Sequence, residues 1–218
     1  MAALKGAFIN LGAGLLGALP NIVVFQFNPE SVSRTPSLAQ PPQPSTGQGS
    51  SDATQQPAQP TESISFSLRI DATDQLASSN PIAATSGILP TLSALELLMV
   101  PKSSLSIDLF NLSGGPQPHL HPPDRLPTVL FIWGPFRILP VTVNSLSINE
   151  TEYDTLLNPI RAEVSVSLQV LTPSQLATDA TFARGAYKYS QGVKEVMAAL
   201  NLINAAEIGI GSLTSFAI

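Results

Sequence analysis

The chain has 218 residues, 44% of them apolar and only 11% charged, where ordinary soluble domains carry about 25% charge. Its 10 Lys and Arg against 15 Asp and Glu give a net charge of -5 with no basic run, which excludes the electrostatic footprint of a nucleic-acid binder. The absence of cysteine excludes disulfides, thiol nucleophiles and Cys-ligated metals together. A surface short of Lys and Glu either packs against partners or precipitates, so the composition points to assembly. A secreted domain covered in Ser, Thr, Gln and Pro is the alternative.

In chain order, residues 1–21 form an apolar N-terminal arm. Ala7 to Leu19 follows Lys5 as a signal peptide would, but Asn10 and regularly spaced glycines interrupt it, and it is shorter than the roughly 20 residues of a membrane span. It is expected to pack on the core or on a neighbour, with no direct membrane insertion. Ile22 to Phe27 (IVVFQF) is β-branched and aromatic and ends at Asn28-Pro29, the pattern of a strand closed by a turn. Residues 36–61 hold almost nothing apolar and cannot offset the entropy of ordering, so they are expected as a flexible insertion.

Next, Glu62 to Ile70 alternates Ile64, Phe66, Leu68 and Ile70 with Ser63, Ser65, Ser67 and Arg69, the period of a half-buried strand. The simplest topology pairs it with Ile22 to Phe27 as a hairpin carrying the insertion at its tip. Ile88 to Val100 has helical spacing with Pro90 in its first turn. Leu105 to Leu112 reads as a short strand or a helix extension, and Gly114 to Pro127 as a proline-rich connection.

Three further strands are predicted at Thr128 to Trp133, Arg137 to Ile148 and Ile160 to Leu171, the last alternating Ala162, Val164, Val166, Leu168 and Val170 with polar residues. After Pro173 the chain becomes rich in Ala, Leu, Gly and Asn, and a helix is predicted from about Gln191 to Ala206. The fold class is therefore mainly β: an antiparallel sandwich or partial barrel over residues 22–172, a flanking helix, and a C-terminal helical extension over 173–218.

Four segments in order, VVFQFNPES (Val23 to Ser31), ISFSLRID (Ile64 to Asp71), LSALELLMV (Leu92 to Val100) and PTVLFIWGPF (Pro127 to Phe136), lead on into VNSLSINETEYD and NPIRAEVSVSLQ. Together they resemble the contractile injection system tube family, similar to phage tail-tube and baseplate-hub adaptor proteins. The resemblance implies a tail-tube-like domain that closes into a homo-hexameric ring, with the adjacent inner-tube ring, spike, hub and baseplate proteins as partners. It also implies a non-catalytic subunit without cofactors, most similar to the tube-initiating or hub adaptor members and assembled in the bacterial cytoplasm, within a particle that is released or membrane-associated. Family members often carry a LysM-like module after this domain; Ser174 to Ile218 shows none.

The remaining chemistry is sparse. His119, His121 and Asp124 in PHLHPPD have metal-ligand spacing but sit among prolines that favour a solvated loop. Glu150, Glu152 and Asp154 lack a companion nucleophile and read as a polar turn. Arg161 is expected to pin that turn through Glu150 or Asp154. Trp133 and Gly134 read as a strand end at the core or an interface, and Phe27, Asn28, Pro29 and Glu30 as an assembly corner. Nucleophile-elbow, P-loop and zincin motifs are absent. The rival expectation is a secreted β-sandwich module that binds carbohydrate or protein.

Overall fold

The computed structural model describes residues 4–11, 21–38, 60–100, 126–178 and 180–207. The expectations for residues 105–112, for most of 114–127 with His119, His121 and Asp124, and for the middle of the 36–61 insertion lie outside them. The strands are β1 (Ala7–Asn10), β2 (Ile22–Val24), β3 (Ser33–Leu38), β4 (Pro60–Asp71), β5 (Val129–Ile132), β6 (Ile138–Tyr153) and β7 (Pro159–Val170). Three short helices, α1 (Thr73–Ala77), α2 (Pro81–Ser86) and α3 (Leu89–Glu96), follow β4, and a long one, α4 (Thr181–Glu207), follows β7.

All seven strands join one antiparallel sheet in the order β2-β1-β5-β6-β7-β4-β3. The mainly β expectation with flanking helices holds, though the strands form a single sheet and not two, and it is not closed into a barrel. Its curvature is read from the aromatic core. In a flat sheet β5 and β4, three steps apart, would be separated by about 14 Å. Yet the Phe131 and Phe66 rings stack with centroids 5.4 Å apart, and Phe8 of β1 lies 6.2 Å from Phe66. The sheet therefore curls, bringing β1 and β5 over β4. Register shifts in β6 between Val143 and Ser145 and again from Glu150 to Tyr153 mark bulges, which bend a strand and raise its twist.

The alternation read in the sequence decides which face turns inward. Ile64, Phe66, Leu68 and Ile70 on β4 and Ala162, Val164, Val166, Leu168 and Val170 on β7 are buried in one cluster with Phe8, Phe25, Phe131, Val141 and Leu92. α3, with Pro90 in its first turn as predicted, caps that cluster through Leu92 and Leu95.

The strand pairing differs from expectation at one point. β4 does form a hairpin across the insertion, but its partner is Ser33–Leu38, whereas Ile22–Val24 pairs with Ala7–Asn10 at the opposite edge. The ends of the 36–61 segment are thus ladder: Pro36 to Leu38 faces Pro60 to Glu62. All six residues of β3 are exposed, so it lacks an apolar face to announce it. α4 begins at Thr181, ten residues before the predicted start.

Candidate assembly surfaces

The outer face of the sheet is built from the polar half of the same alternation. Register places Ser65, Ser167 and Ser145 in one row across β4, β7 and β6, and Ser67, Ser165 and Ser147 in the next. Arg69, Glu163 and Asn149 form the row beyond. All of these side chains except Asn149 line an open trough of about 940 Å³, one wall of which is Phe27, Asn28, Pro29, Glu30 and Ser31. Its floor is mostly short hydroxyls, with Ser67 and Ser165 in mutual hydrogen-bond contact at 3.2 Å.

The FNPE wall is held by side chains acting as clamps. Phe25 is buried, and its ring meets Phe8 edge-on at 5.0 Å. Gln26 donates to the Asp71 carbonyl at 2.6 Å and accepts from the Asp71 amide at 2.9 Å, fastening the corner to the end of β4. Asn28 accepts from the Gly6 amide at 2.9 Å and donates to the Leu4 carbonyl at 2.8 Å. Gly6 has to be glycine here, because a Cβ would lie 2.6 Å from the Phe25 ring. Phe27 itself stays 45% exposed.

Trp133 packs on Phe131 and Phe25, with centroid separations of 6.1 and 6.4 Å, and its amide closes the β5–β6 turn onto the Arg137 carbonyl. Gly134 sits in that turn at φ 76°, a conformation L side chains disfavour. Both belong to the core margin.

At the far end of β6 and β7, Arg161 does not take the partner expected of it. Its Nε donates to Asp71 at 2.8 Å and its Nη1 to Glu152 at 2.5 Å. The pairing with Asp71 chiefly raises the Arg161 pKa, and Glu152 adds to it. Asp154 pins the turn independently, accepting from the amides of Leu156 and Asn158 at 2.7 and 2.8 Å and from the Asn158 side chain at 2.8 Å. Those bonds, led by the Asn158 side chain, hold the Asp154 carboxyl below its ordinary pKa. Glu150 pairs in register with Ala162 beside them.

A feature that sequence reasoning missed joins the sheet to α4. Glu62, at the start of β4, has a side chain only 8% exposed and pairs with Arg34 of β3 at 2.5 Å and Lys194 of α4 at 3.2 Å. The alternation that put Ile64 and Phe66 inside implies that Glu62 points inward too, which was the available signal.

Among the described strands, the sheet ends in two open edges, β2 and β3. Unpaired backbone groups on such edges invite further strands, and here Pro36 removes one donor from β3. Among the described residues no group of His, Asp and Glu could hold a metal ion, and no helix is long and apolar enough to cross a membrane.

An open curled sheet, two free edges among the described strands and a hydroxyl-lined face define a β protein with surfaces suited to association. The chain matches the family model of the contractile injection system tube protein over residues 17–178, and it belongs to that family. It is thus a tube-like structural component that assembles with other parts of a contractile injection system. No curated protein matches the sequence. The family match ends before α4 begins.

Proposed function

We propose that this chain is the non-catalytic ring subunit at which the inner tube of a contractile particle starts, the tube-initiator or hub adaptor that joins the tube to the spike and hub. Six copies close into a ring in which the β3 edge of each protomer meets the β2 edge of the next. The ring assembles in the bacterial cytoplasm as part of the particle. Phe27, Asn28, Pro29, Glu30, Trp133, Gly134, Glu150, Asp154 and Arg161 shape the surfaces and turns on which that assembly rests.

The observation that carries this reading is the open seven-stranded sheet with unlike free edges, in a chain of the tube family. Head-to-tail contact between unlike surfaces generates closed rings when the rotation closes, and closure leaves no edge exposed. The serine-floored trough suits the wall of a channel, because short uncharged hydroxyls neither bind a passing chain tightly nor repel it.

Electron microscopy of the purified chain and of intact particles tests the proposal. The expected result is a sixfold annulus around the central channel at the spike end of the tube. A subunit found away from the channel, with β2 and β3 facing solvent, would overturn it.

A further inference from the structure

The helix α4 spans 27 residues, about 40 Å at 1.5 Å per residue, and among the described residues its ties to the fold lie in its first half. Arg184 donates to the carbonyls of Ala177 and Leu176 at 3.1 and 2.9 Å, and Ala183 and Ala186 are buried. Tyr189 donates to the Pro135 carbonyl at 2.9 Å, and the Ser190 hydroxyl donates to the Ile138 carbonyl at 2.6 Å. Four residues on, Lys194 reaches Glu62 of β4. The attachment points move from β6 toward β4, the neighbour of edge strand β3. The stretch from Lys194 to Glu207, about 20 Å long, starts at Glu62, whose other partner is Arg34 of the edge strand β3.

Every residue from Lys194 to Ile203 is exposed, and only Lys194 and Glu195 among them are charged. Val196, Met197, Leu200 and Ile203 share one side of the helix, at 58, 44, 47 and 60% exposure. They continue a seam in which Tyr189, Val193, Val196, Leu200 and Ile203 alternate steps of four and three, the spacing of a helix packed along its length. Gly192 flanks the seam with open space where a Cβ would stand. A helical segment this short draws its stability from packing an apolar face, and among the described residues nothing covers this face.

We infer that the distal half of α4 is a clasp arm that lies on the β2 side of the next copy of this chain. The inference rests on the ring proposed above and adds to it a contact outside the stretch shared with the tube family. A second copy is the occupant because its β2 edge, the one due to meet β3, exposes Ile22 and Val24 at 51 and 56% and carries no charge. The area argues the same way. β2 has only three residues, too few to hold a ring by strand pairing alone. The four apolar side chains of the arm add on the order of 400 Å², about half of the roughly 800 Å² per partner of a stable interface.

Two variants of the full-length chain test it. Val196→Ser, Leu200→Ser and Ile203→Ser together should leave the thermal midpoint unchanged and weaken assembly by at least tenfold in light scattering. Because the chain has no cysteine, Leu200→Cys with Val24→Cys should yield a disulfide-linked ladder of protomers under mild oxidation. Rings that persist in the triple serine variant would overturn the arm and leave the ring reading standing. So would cross-linking of Leu200→Cys alone to itself, which would mean helix pairing with helix, or a seam that binds lipid vesicles instead. A parent chain that stays monomeric would sink both readings.

Discussion

Arg161 and Asp71 meet at 2.8 Å although 90 residues separate them in sequence, and their contact locks the end of β7 to the end of β4. Beside it, Thr73 donates its backbone amide at 2.8 Å and its hydroxyl to the same Asp71 carboxylate. Gln26 fastens the FNPE corner to the backbone of the same residue, so the corner and the far end of the sheet meet at Asp71.

The Asp71 pKa lies below its ordinary 3.8, chiefly through the Thr73 hydroxyl and further through the Thr73 amide and Arg161, against an opposing push from burial. A carboxyl lowered on folding stabilises the fold above its unfolded pKa and loses that contribution as pH falls through the folded one. Asp71→Asn should therefore flatten the stability profile below about pH 4, as read by urea unfolding at several pH values. An unchanged acid limb in the variant would refute the assignment.

Gly87 turns the chain between α2 and α3 at φ 55°, where a Cβ would lie 2.1 Å from the Pro159 carbonyl oxygen. Gly87→Ala should cost about 2–4 kcal/mol in denaturant unfolding, combining backbone strain with a collision against β7. Gly134→Ala has a comparable φ of 76° but open space around the Cβ, so it should cost only about 1–2 kcal/mol.

Phe131 is fully buried and meets Phe8, its register partner on β1, together with Phe25, Trp133 and, across the curl, Phe66 of β4. Phe131→Ala should destabilise by about 3–5 kcal/mol. Near-ultraviolet circular dichroism should report loosened aromatic packing at the same time.

Removing the carboxylate in Glu62→Ala leaves Arg34 and Lys194 without their shared partner and cuts the last tie of α4. Loss of about 1–3 kcal/mol is expected, since both cations keep partial access to water. Hydrogen exchange should quicken in α4 beyond Ser190 and change little in β7.

Paired changes on the serine floor, Ser67→Val with Ser165→Val, touch no core contact and should shift stability by less than about 0.5 kcal/mol. If the trough lines a channel, particles carrying the pair should assemble normally and retain or release their contents abnormally. Equal cargo yields from variant and parent particles would argue against that use of the face.

The clearest strands in the sequence are those with one wet and one dry face, while the continuously apolar β5 is legible from its β-branched and aromatic run. β4 and β7 carry strict alternation, and the structure turns each of those apolar residues inward. β3 escaped because it is exposed throughout, so burial left no mark on its composition. Without it, Ile22 to Val24 was the natural partner for β4, although it pairs with β1, a strand of only four residues. α1 and α2, at five and six residues, are too short to show a period. In α4 the glycines at 185 and 192 dilute the helical pattern that begins at Thr181. The FNPE corner could be located from sequence, but not its clamps, since Gln26 and Asn28 bond to backbone groups that only the folded chain brings near. Arg161 was likewise visible as a fixing residue, while its partner Asp71 lies in a strand whose neighbour had been misassigned.

The long antiparallel ladder between β4 and β7, running from Ser63 opposite Gln169 to Asp71 opposite Arg161, has a mechanical corollary. A load pulling those two strands past each other must shear many rungs at once, whereas a load that peels them apart opens them singly. Tension along the strand axis would thus be borne collectively, a stiffness useful in any component that sits in the line of thrust.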